Sequence, residues 1–480
     1  MRRDRTDLYD ASARREASAE THRRYPSVKE GTMNKIQRSY VPRTQRKIRW
    51  RIVAPLLVLA ALLFYMAIVF FWPKEKIEPV VPFTICDYGA TKTKDMLHDR
   101  IYDETVELGD YLLYGETLNL FQSTYDTAVD DGFVGKTLKL YDLCRIDEGT
   151  DEPEYTFLLE NLVDGQIPLE NLEPGFYEIY VTQDLVSKRI IKTEAIKDRF
   201  YTIRRVENTG MTIDLLADKR LANTADDQPS LMDKNYVFLN VAASEIPTEI
   251  ADIYIEASHR TRSGGGVETG RSANGLIESE ETYKMALRMK DEFEKYGLKV
   301  VLAREDAEVV IDSYGLDGRL HKAYQAKAKY YIEIQLNGSS NPSVRGQQIF
   351  YSSFASNRLA TTVFKSLMEI PGFKPTSIST KGNIPGVNAS SRDSGLDARP
   401  TIRESGGRIL AAGTYSELSR EGNASFAADA ILGMQTLTID YGFITNSADA
   451  NFWKQNMDEL AVKTVEGFVQ HLQLNLITNP

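Results

Sequence analysis

The chain has 480 residues, 42% apolar and 10% aromatic, enough to fill several cores, which excludes a wholly disordered protein. Its net charge of −10 is divided unevenly: residues 1–51 hold fifteen Lys/Arg against six Asp/Glu, a balance of +9 that leaves −19 for residues 52–480. An anionic body without a basic, aromatic-interleaved patch excludes a nucleic-acid binder.

Residues 1–48 are polar, rich in Arg, Ser and Thr, and lack apolar periodicity, which predicts a disordered cytoplasmic tail. Met33 is an alternative start to Met1, because Lys29-Glu30-Gly31 can be encoded by a ribosome-binding sequence just ahead of it. From Ile52 to Trp72, twenty-one residues carry no charge. At about 1.5 Å per residue such a helix spans roughly 30 Å, the hydrocarbon core of a bilayer. Trp50 and Trp72 mark its ends, and Arg43, Arg46, Lys47, Arg49 and Arg51 crowd the N-terminal side. Residues 49–73 therefore read as a single-pass plasma-membrane anchor with a cytoplasmic N-terminus and extracytoplasmic C-terminal domains. No small-residue cleavage site follows, which argues against a cleaved signal peptide. Cys86 and Cys144 both fall outside the membrane, where a disulfide and two free thiols are equally open.

Residues 79–216 alternate strand patterns with turn residues: GDYLLYGETLNLF, GKTLKLYDLC, EYTFLLENL, GFYEIYVT, RFYTIRRVE and MTIDLLA. This predicts an all-β sandwich. It offers no catalytic constellation and reads as a spacer or interaction module. Residues 217–247, polar through Asp218–Asn235, read as a linker.

From 248 to 476 strands and helices alternate. IYIEAS precedes a helix near 278–296, where Ala286, Met289, Phe293 and Tyr296 recur at helical spacing, and LKVVLA comes next. A helix near 316–328 leads to YYIEIQLN; then come QQIFYSS, a helix at NRLATTVFKSLM, and TLTID. This predicts an α/β domain, a mostly parallel twisted sheet with helices on both faces.

Sites in such sheets form outside the carboxyl ends of the strands. His259 follows one strand end, Gln335 closes YYIEIQ, Asp440 closes TLTID, and Glu278 opens the first helix. An imidazole with nearby carboxylates is the donor chemistry of a zinc hydrolase, which holds the metal with three protein ligands and keeps a position for water. The run Gly264 to Gly270 lacks the spacing and lysine of a phosphate loop, and Asn388-Ala-Ser is a glycosylation sequon by pattern.

Residues 253–470 resemble the catalytic domain of zinc-dependent N-acetylmuramoyl-L-alanine amidases, the type-3 peptidoglycan amidase family. The family's Asp-Pro-Gly-His-Gly-Gly is matched by Glu256-Ala-Ser-His259-Arg-Thr, and its Gly-x-x-Glu by Gly275-Leu-Ile-Glu278. Its Ile-Ser-Ile-His-x-Asn is matched by Ile332-Glu-Ile-Gln335-Leu-Asn337, and Val-Glu-x-Gly-Phe-x-x-Asn by Ile439-Asp440-Tyr-Gly442-Phe443-Ile-Thr-Asn446. The resemblance implies metal positions at His259, Glu278 and Gln335, a catalytic base at Asp440, and Zn2+ as cofactor if the enzyme is active.

Two positions depart from the pattern. Gln335 offers a neutral amide oxygen where the family has an imidazole, and Asp440 is one methylene shorter than glutamate. A misplacement of roughly 1 Å costs about a hundredfold in rate. The reading is a bacterial, membrane-anchored cell-wall protein with a divergent amidase domain that binds peptidoglycan or regulates wall enzymes, with weak or no hydrolysis and zinc optional. One alternative is an active amidase cleaving the bond between N-acetylmuramic acid and L-alanine. Another is a purely structural component of the wall or division complex. The partners implied are peptidoglycan, the membrane, and cell-wall or division proteins.

Overall fold

A computed structural model describes residues 85–476, apart from 87, 124–130, 149–151, 161–163, 206–208, 224–227, 316, 378–383, 394–395 and 407–431. The expected tail and anchor, 1–48 and 49–73, lie outside the described residues; among these, no helix is long and apolar enough to cross a membrane. Residues 79–480 make one compact unit.

The first part is mainly β, with one α-helix, Ala90–His98, ahead of its strands. Strand Thr137–Asp142 alternates buried and half-buried positions, the period of a strand with one face on a core. It belongs to an eight-stranded sheet; a four-stranded sheet contains Asp110–Tyr114, Thr117–Phe121, Ile167–Pro168 and Leu432–Gly433. Leu118, Leu120 and Ile167 from the smaller sheet share an apolar cluster with Leu138, Ile179, Leu215 and Leu239 from the larger.

Two features depart from the sequence reading. Within the stretch read as linker, Val237–Glu245 is a strand paired on both sides, with Thr209–Ala217 and with Gly175–Gln183. Its apolar side chains Val237, Leu239 and Val241 alternate into the core, a short signal masked by the polar run before it. The other departure is Leu432–Gly433, which joins the smaller sheet from the far end of the chain, parallel to Asp110–Tyr114. The β part is thus interlocked with the C-terminal half of the chain.

The α/β part has six strands: β1 (Ile253–Ala257), β2 (Val300–Leu302), β3 (Tyr330–Asn337), β4 (Gln348–Tyr351), β5 (Val387–Ala389) and β6 (Gln435–Phe443). Their order is β2-β1-β3-β6-β4-β5. The first four run parallel; β4 is antiparallel to β6, and β5 is parallel to β4. The helices are α1 (Glu278–Glu294), α2 (Arg319–Gln325), α3 (Arg358–Leu367), α4 (Pro400–Ser405) and α5 (Ser447–His471).

Alternation assigns the faces. Ile253, Ile255, Ile332, Ile334, Leu437 and Ile439 pack with Met289 and Phe293 of α1, Val363 and Phe364 of α3, and Trp453 and Phe468 of α5. Tyr254 and Tyr331 point the other way, onto Leu320 and Ala323 of α2. In α1, Ala286, Met289 and Phe293 are buried and Tyr296, just beyond its end, packs partly against the same cluster. Helix α5 lies beyond the last element taken from the sequence, although its buried Trp453, Leu460, Ala461, Val465 and Phe468 keep helical spacing. Asn446 caps it, accepting from the Ala448 and Asp449 amides.

The two parts meet through buried charge. Arg204 Nη1 lies 2.9 Å from Asp252 Oδ2, just ahead of β1; within the β part, half-buried Arg205 is held by Glu116, Nη2 lying 2.9 Å from Oε2. Arg205 Nη1 also donates to the Leu472 carbonyl at 2.9 Å.

Cys86 and Cys144 form a disulfide with Cα atoms 5.2 Å apart, closing a loop with a sequence separation of 58. By chain entropy such a loop contributes about 4 kcal/mol. Paired Cys86→Ser and Cys144→Ser, or added reductant, should lower the melting temperature of the purified protein by many degrees; an unchanged melting curve would show that the bridge does not form.

Candidate functional site

Strand β1 ends at Ala257, and the Ser258 hydroxyl donates to the Ile334 carbonyl of β3 at 2.6 Å. The next two residues, His259 and Arg260, both take left-handed backbone conformations, with φ of 69° and 60°. Non-glycine residues pay for that geometry with about 1–3 kcal/mol each, and such strain gathers at functional sites. The turn aims the imidazole back across the sheet edge.

Two carboxylates hold it. His259 Nε2 lies 3.0 Å from Glu278 Oε2, and Nδ1 lies 2.6 Å from Glu268 Oε2. Glu278 opens α1 and is buried; its Oε1 accepts from the Leu336 amide and its Oε2 from the Arg271 amide, each at 3.0 Å. Glu268 ends a hairpin formed by Thr261–Ser263 and Gly266–Glu268, with Gly264 and Gly265 at its turn. That is the role of the glycine run: it folds back so that Glu268 meets the histidine. Gly270, at φ +76°, packs beneath the pair, and a Cβ there would lie 2.6 Å from His259 Cδ2 and 2.7 Å from Glu278 Oε2.

Gln335 and Asp440 are direct neighbours in the register of β3 and β6. Gln335 Nε2 donates to Glu333 Oε1 at 2.7 Å, so its amide hydrogen side is turned along its own strand. Asp440 is 1% exposed. Its Oδ2 accepts from Gln348 Nε2 at 2.7 Å and Asn337 Nδ2 at 3.2 Å, and lies 3.7 Å from Arg399 Nη2, whereas Oδ1 is buried without a partner. The structure therefore brings His259 and Glu278 into contact and sets Gln335 beside Asp440, each of these two with its own hydrogen-bond partners.

Beneath them lies a buried polar layer that sequence reasoning missed. Glu256 of β1 pairs with Arg319 and accepts from the Tyr331 hydroxyl; Arg319 also donates to the His259 carbonyl at 2.7 Å. Glu333 accepts from the Thr438 hydroxyl at 2.7 Å. Burial, then the neighbouring Glu256 charge, push the Glu333 carboxyl up to about 7. Burial also raises Asp440, with Arg399 opposing it. The available sequence signal was the polar residue at every second position of IEIQ.

Residues 253–469 match the family described as N-acetylmuramoyl-L-alanine amidase. That stretch, a little under half of the chain, is similar to the amidase family. The uncharacterized protein YqiI of Bacillus subtilis is 24% identical over 226 residues, covering 46% of this chain and 84% of that protein. The N-acetylmuramoyl-L-alanine amidase LytC of the same organism is 26% identical over 132 residues, which span 27% of this chain and 25% of LytC. Among solved structures, the amidase AmiC2 of Nostoc punctiforme is 18% identical with a TM-score of 0.31, covering 47% of this chain and 98% of that one.

Members of this amidase family are typically zinc-dependent, and the donors at the sheet edge meet that requirement in part. His259 Nε2 and Glu278 Oε2 stand about as far apart as two ligands of one tetrahedral ion with bonds of about 2 Å. Glu268 on Nδ1 is the orienting carboxylate that metal-bound histidines commonly have. The third position fails the comparison, because Gln335 supplies only a neutral amide oxygen. Among the described residues, the one trio of Cys, His or acidic donors within 4.8 Å is Cys86, Asp142 and Cys144, and the disulfide removes both thiolates. Among the described residues, no third histidine, cysteine or acidic side chain joins His259 and Glu278 in such a group.

Burial alone would lower the pKa of His259, but the hydrogen bonds and charges of Glu278 and then Glu268 outweigh it and push it up to about 9. The stabilisation from this imidazolium is fully present below its unfolded value near 6.5 and is lost as pH rises through about 9. In metal-free protein, the His259 ring resonances should titrate near pH 9, and Glu268→Gln should lower that midpoint. A midpoint near 6.5 would mean the two carboxylates do not hold the ring.

Proposed function

We propose that this is a membrane-anchored bacterial cell-wall protein whose amidase-family domain binds peptidoglycan, or governs wall enzymes, with little or no hydrolysis. The observation that carries the reading is the third metal position: Gln335 stands there, with its amide nitrogen committed to Glu333. The imidazole of His259, clamped between two carboxylates, must also release a proton before any metal can bind. The base position adds a further obstacle, since Asp440 is buried and engaged by Gln348, Asn337 and Arg399. Holding a polymer requires none of these groups to be reactive. Arg271 lies across Gly338 beside Glu278, with no ion-pair partner among the described residues, and suits the carboxylates of a stem peptide.

The second reading is an active zinc amidase, favoured by one observation: the spacing of His259 and Glu278 with Glu268 behind the ring. In that case His259, Glu278 and Gln335 hold the ion and Asp440 is the base. A purely structural role in the wall or division complex would need neither zinc nor peptidoglycan binding.

Metal analysis of the purified full chain separates these readings. We expect substoichiometric zinc, sedimentation with isolated peptidoglycan, and no release of stem peptides. Gln335→His should raise zinc occupancy by well over tenfold at a fixed free zinc concentration, since it restores an imidazole donor. Stoichiometric zinc in the unmodified protein, with hydrolysis abolished by His259→Ala, would instead establish the enzyme. Absence of both zinc and peptidoglycan binding would leave the structural role.

The uncharged run 52–72, with its arginine-rich N-terminal flank, supports a cytoplasmic tail and an extracytoplasmic body. Protease added to wall-stripped cells should digest residues beyond 79 and spare the tail. The reverse pattern would overturn this orientation.

A further inference from the structure

A cavity of about 660 Å³ lies where the β part meets the start of the α/β sheet, a size typical of ligand clefts. Tyr330 and Gln435, register partners on β3 and β6, line it. Each strand then runs five residues further to reach Gln335 and Asp440, about 16 Å away at the usual rise of a strand. The cavity is therefore at the opposite end of the sheet from His259.

Tyr330 is 2% exposed and Gln435 8%. Neither side chain has a hydrogen-bond partner among the described residues. With no protein partner, the two adjacent polar groups open into the cavity and mark a place where something polar meets them. The charges around them are sorted. Glu116 is already satisfied by the Ile203 amide at 2.8 Å and by Arg205. Glu170, an exposed residue at the cavity edge, has no ion-pair partner among the described residues. Desolvation within the cleft and the Glu116 charge push its carboxyl up to about 7. Arg358, exposed at the start of α3, also lines the cavity and likewise has no acidic partner among the described residues. Phe157, Pro168 and Leu472 add apolar surface.

We infer that this cavity is a second binding site, for a short zwitterionic peptide whose ammonium group sits between Glu170 and the Tyr330 hydroxyl and whose carboxylate meets Arg358. An ammonium has three donors and no acceptor, which suits a carboxylate, a phenolic oxygen and the Gln435 amide oxygen together. A carboxylate accepts the planar fork of an arginine in two parallel bonds. A sugar or a neutral metabolite would leave Glu170 and Arg358 without a counter-charge. The amidase reading plays no part in this assignment.

The test is calorimetric titration of the full-chain protein with the dipeptide Ala-Lys, and with Ala-Lys acetylated on both amines as the control. We expect saturable binding of Ala-Lys and none of the acetylated form. Glu170→Gln and Arg358→Ala should each weaken binding by about tenfold or more, and Tyr330→Phe by several-fold, since each removes one charged or polar contact. These two charged positions are at the surface, so the variants should keep the wild-type melting temperature. His259→Ala should leave the titration unchanged. No saturable heat with Ala-Lys, equal binding of the acetylated control, or binding indifferent to Glu170→Gln would each overturn the assignment. Binding lost in His259→Ala and retained in Glu170→Gln would place the peptide at the other end of the sheet, also against it.

Discussion

The register of β1, β3 and β6 is the constraint on which the rest of the molecule depends. Side chains alternate across a strand with period 2, so a slip of one residue would exchange the two faces of the sheet. In the observed register, Ile255, Ile332, Ile334 and Ile439 meet the helix core, and Glu256, Glu333, Gln335, Thr438 and Asp440 fall together on the opposite face. A one-residue slip would turn the second set into the helix core and the first set out of it. The placement of the candidate site at the strand ends is a direct result of that alignment.

Buried charge is expensive unless it is paired and hydrogen-bonded. The polar layer meets this condition almost completely: Glu256 with Arg319 and Tyr331, Glu333 with Thr438 and Gln335, Asp440 with Gln348, Asn337 and Arg399. The same condition explains why Gln335 is acceptable here. An amide donates to Glu333 in one fixed protonation state, with no proton of its own to gain or lose. Among the described residues, Asp440 Oδ1 and Arg319 Nε are the exceptions in the layer, each buried without a hydrogen-bond partner.

The β part contributes more than length. Its smaller sheet takes Leu432–Gly433 from the segment just before β6, so the strand that carries Asp440 is continuous with a strand paired to the other half of the molecule. Arg204 and Arg205 also tie the junction, through Asp252 and the Leu472 carbonyl. With both sheet ends engaged, His259 and its neighbours at one end and the junction at the other, the α/β part is held along its whole length.

By itself the sequence determined the alternation of strands and helices after residue 248, the helix stripe of Ala286, Met289 and Phe293, and the four strand-end and helix-start positions 259, 278, 335 and 440. The first two are local signals set by backbone periodicity, and the four positions follow from the resemblance to the amidase family. Tertiary structure alone decided the rest. Glu268 becomes a partner of His259 only because a hairpin turns at Gly264 and Gly265, and the strand at Val237 is recognisable only beside the two strands that flank it. The Cys86–Cys144 bridge and the direction of the Gln335 amide depend on which distant groups come within about 3–6 Å, and spacing along the chain carries no record of that.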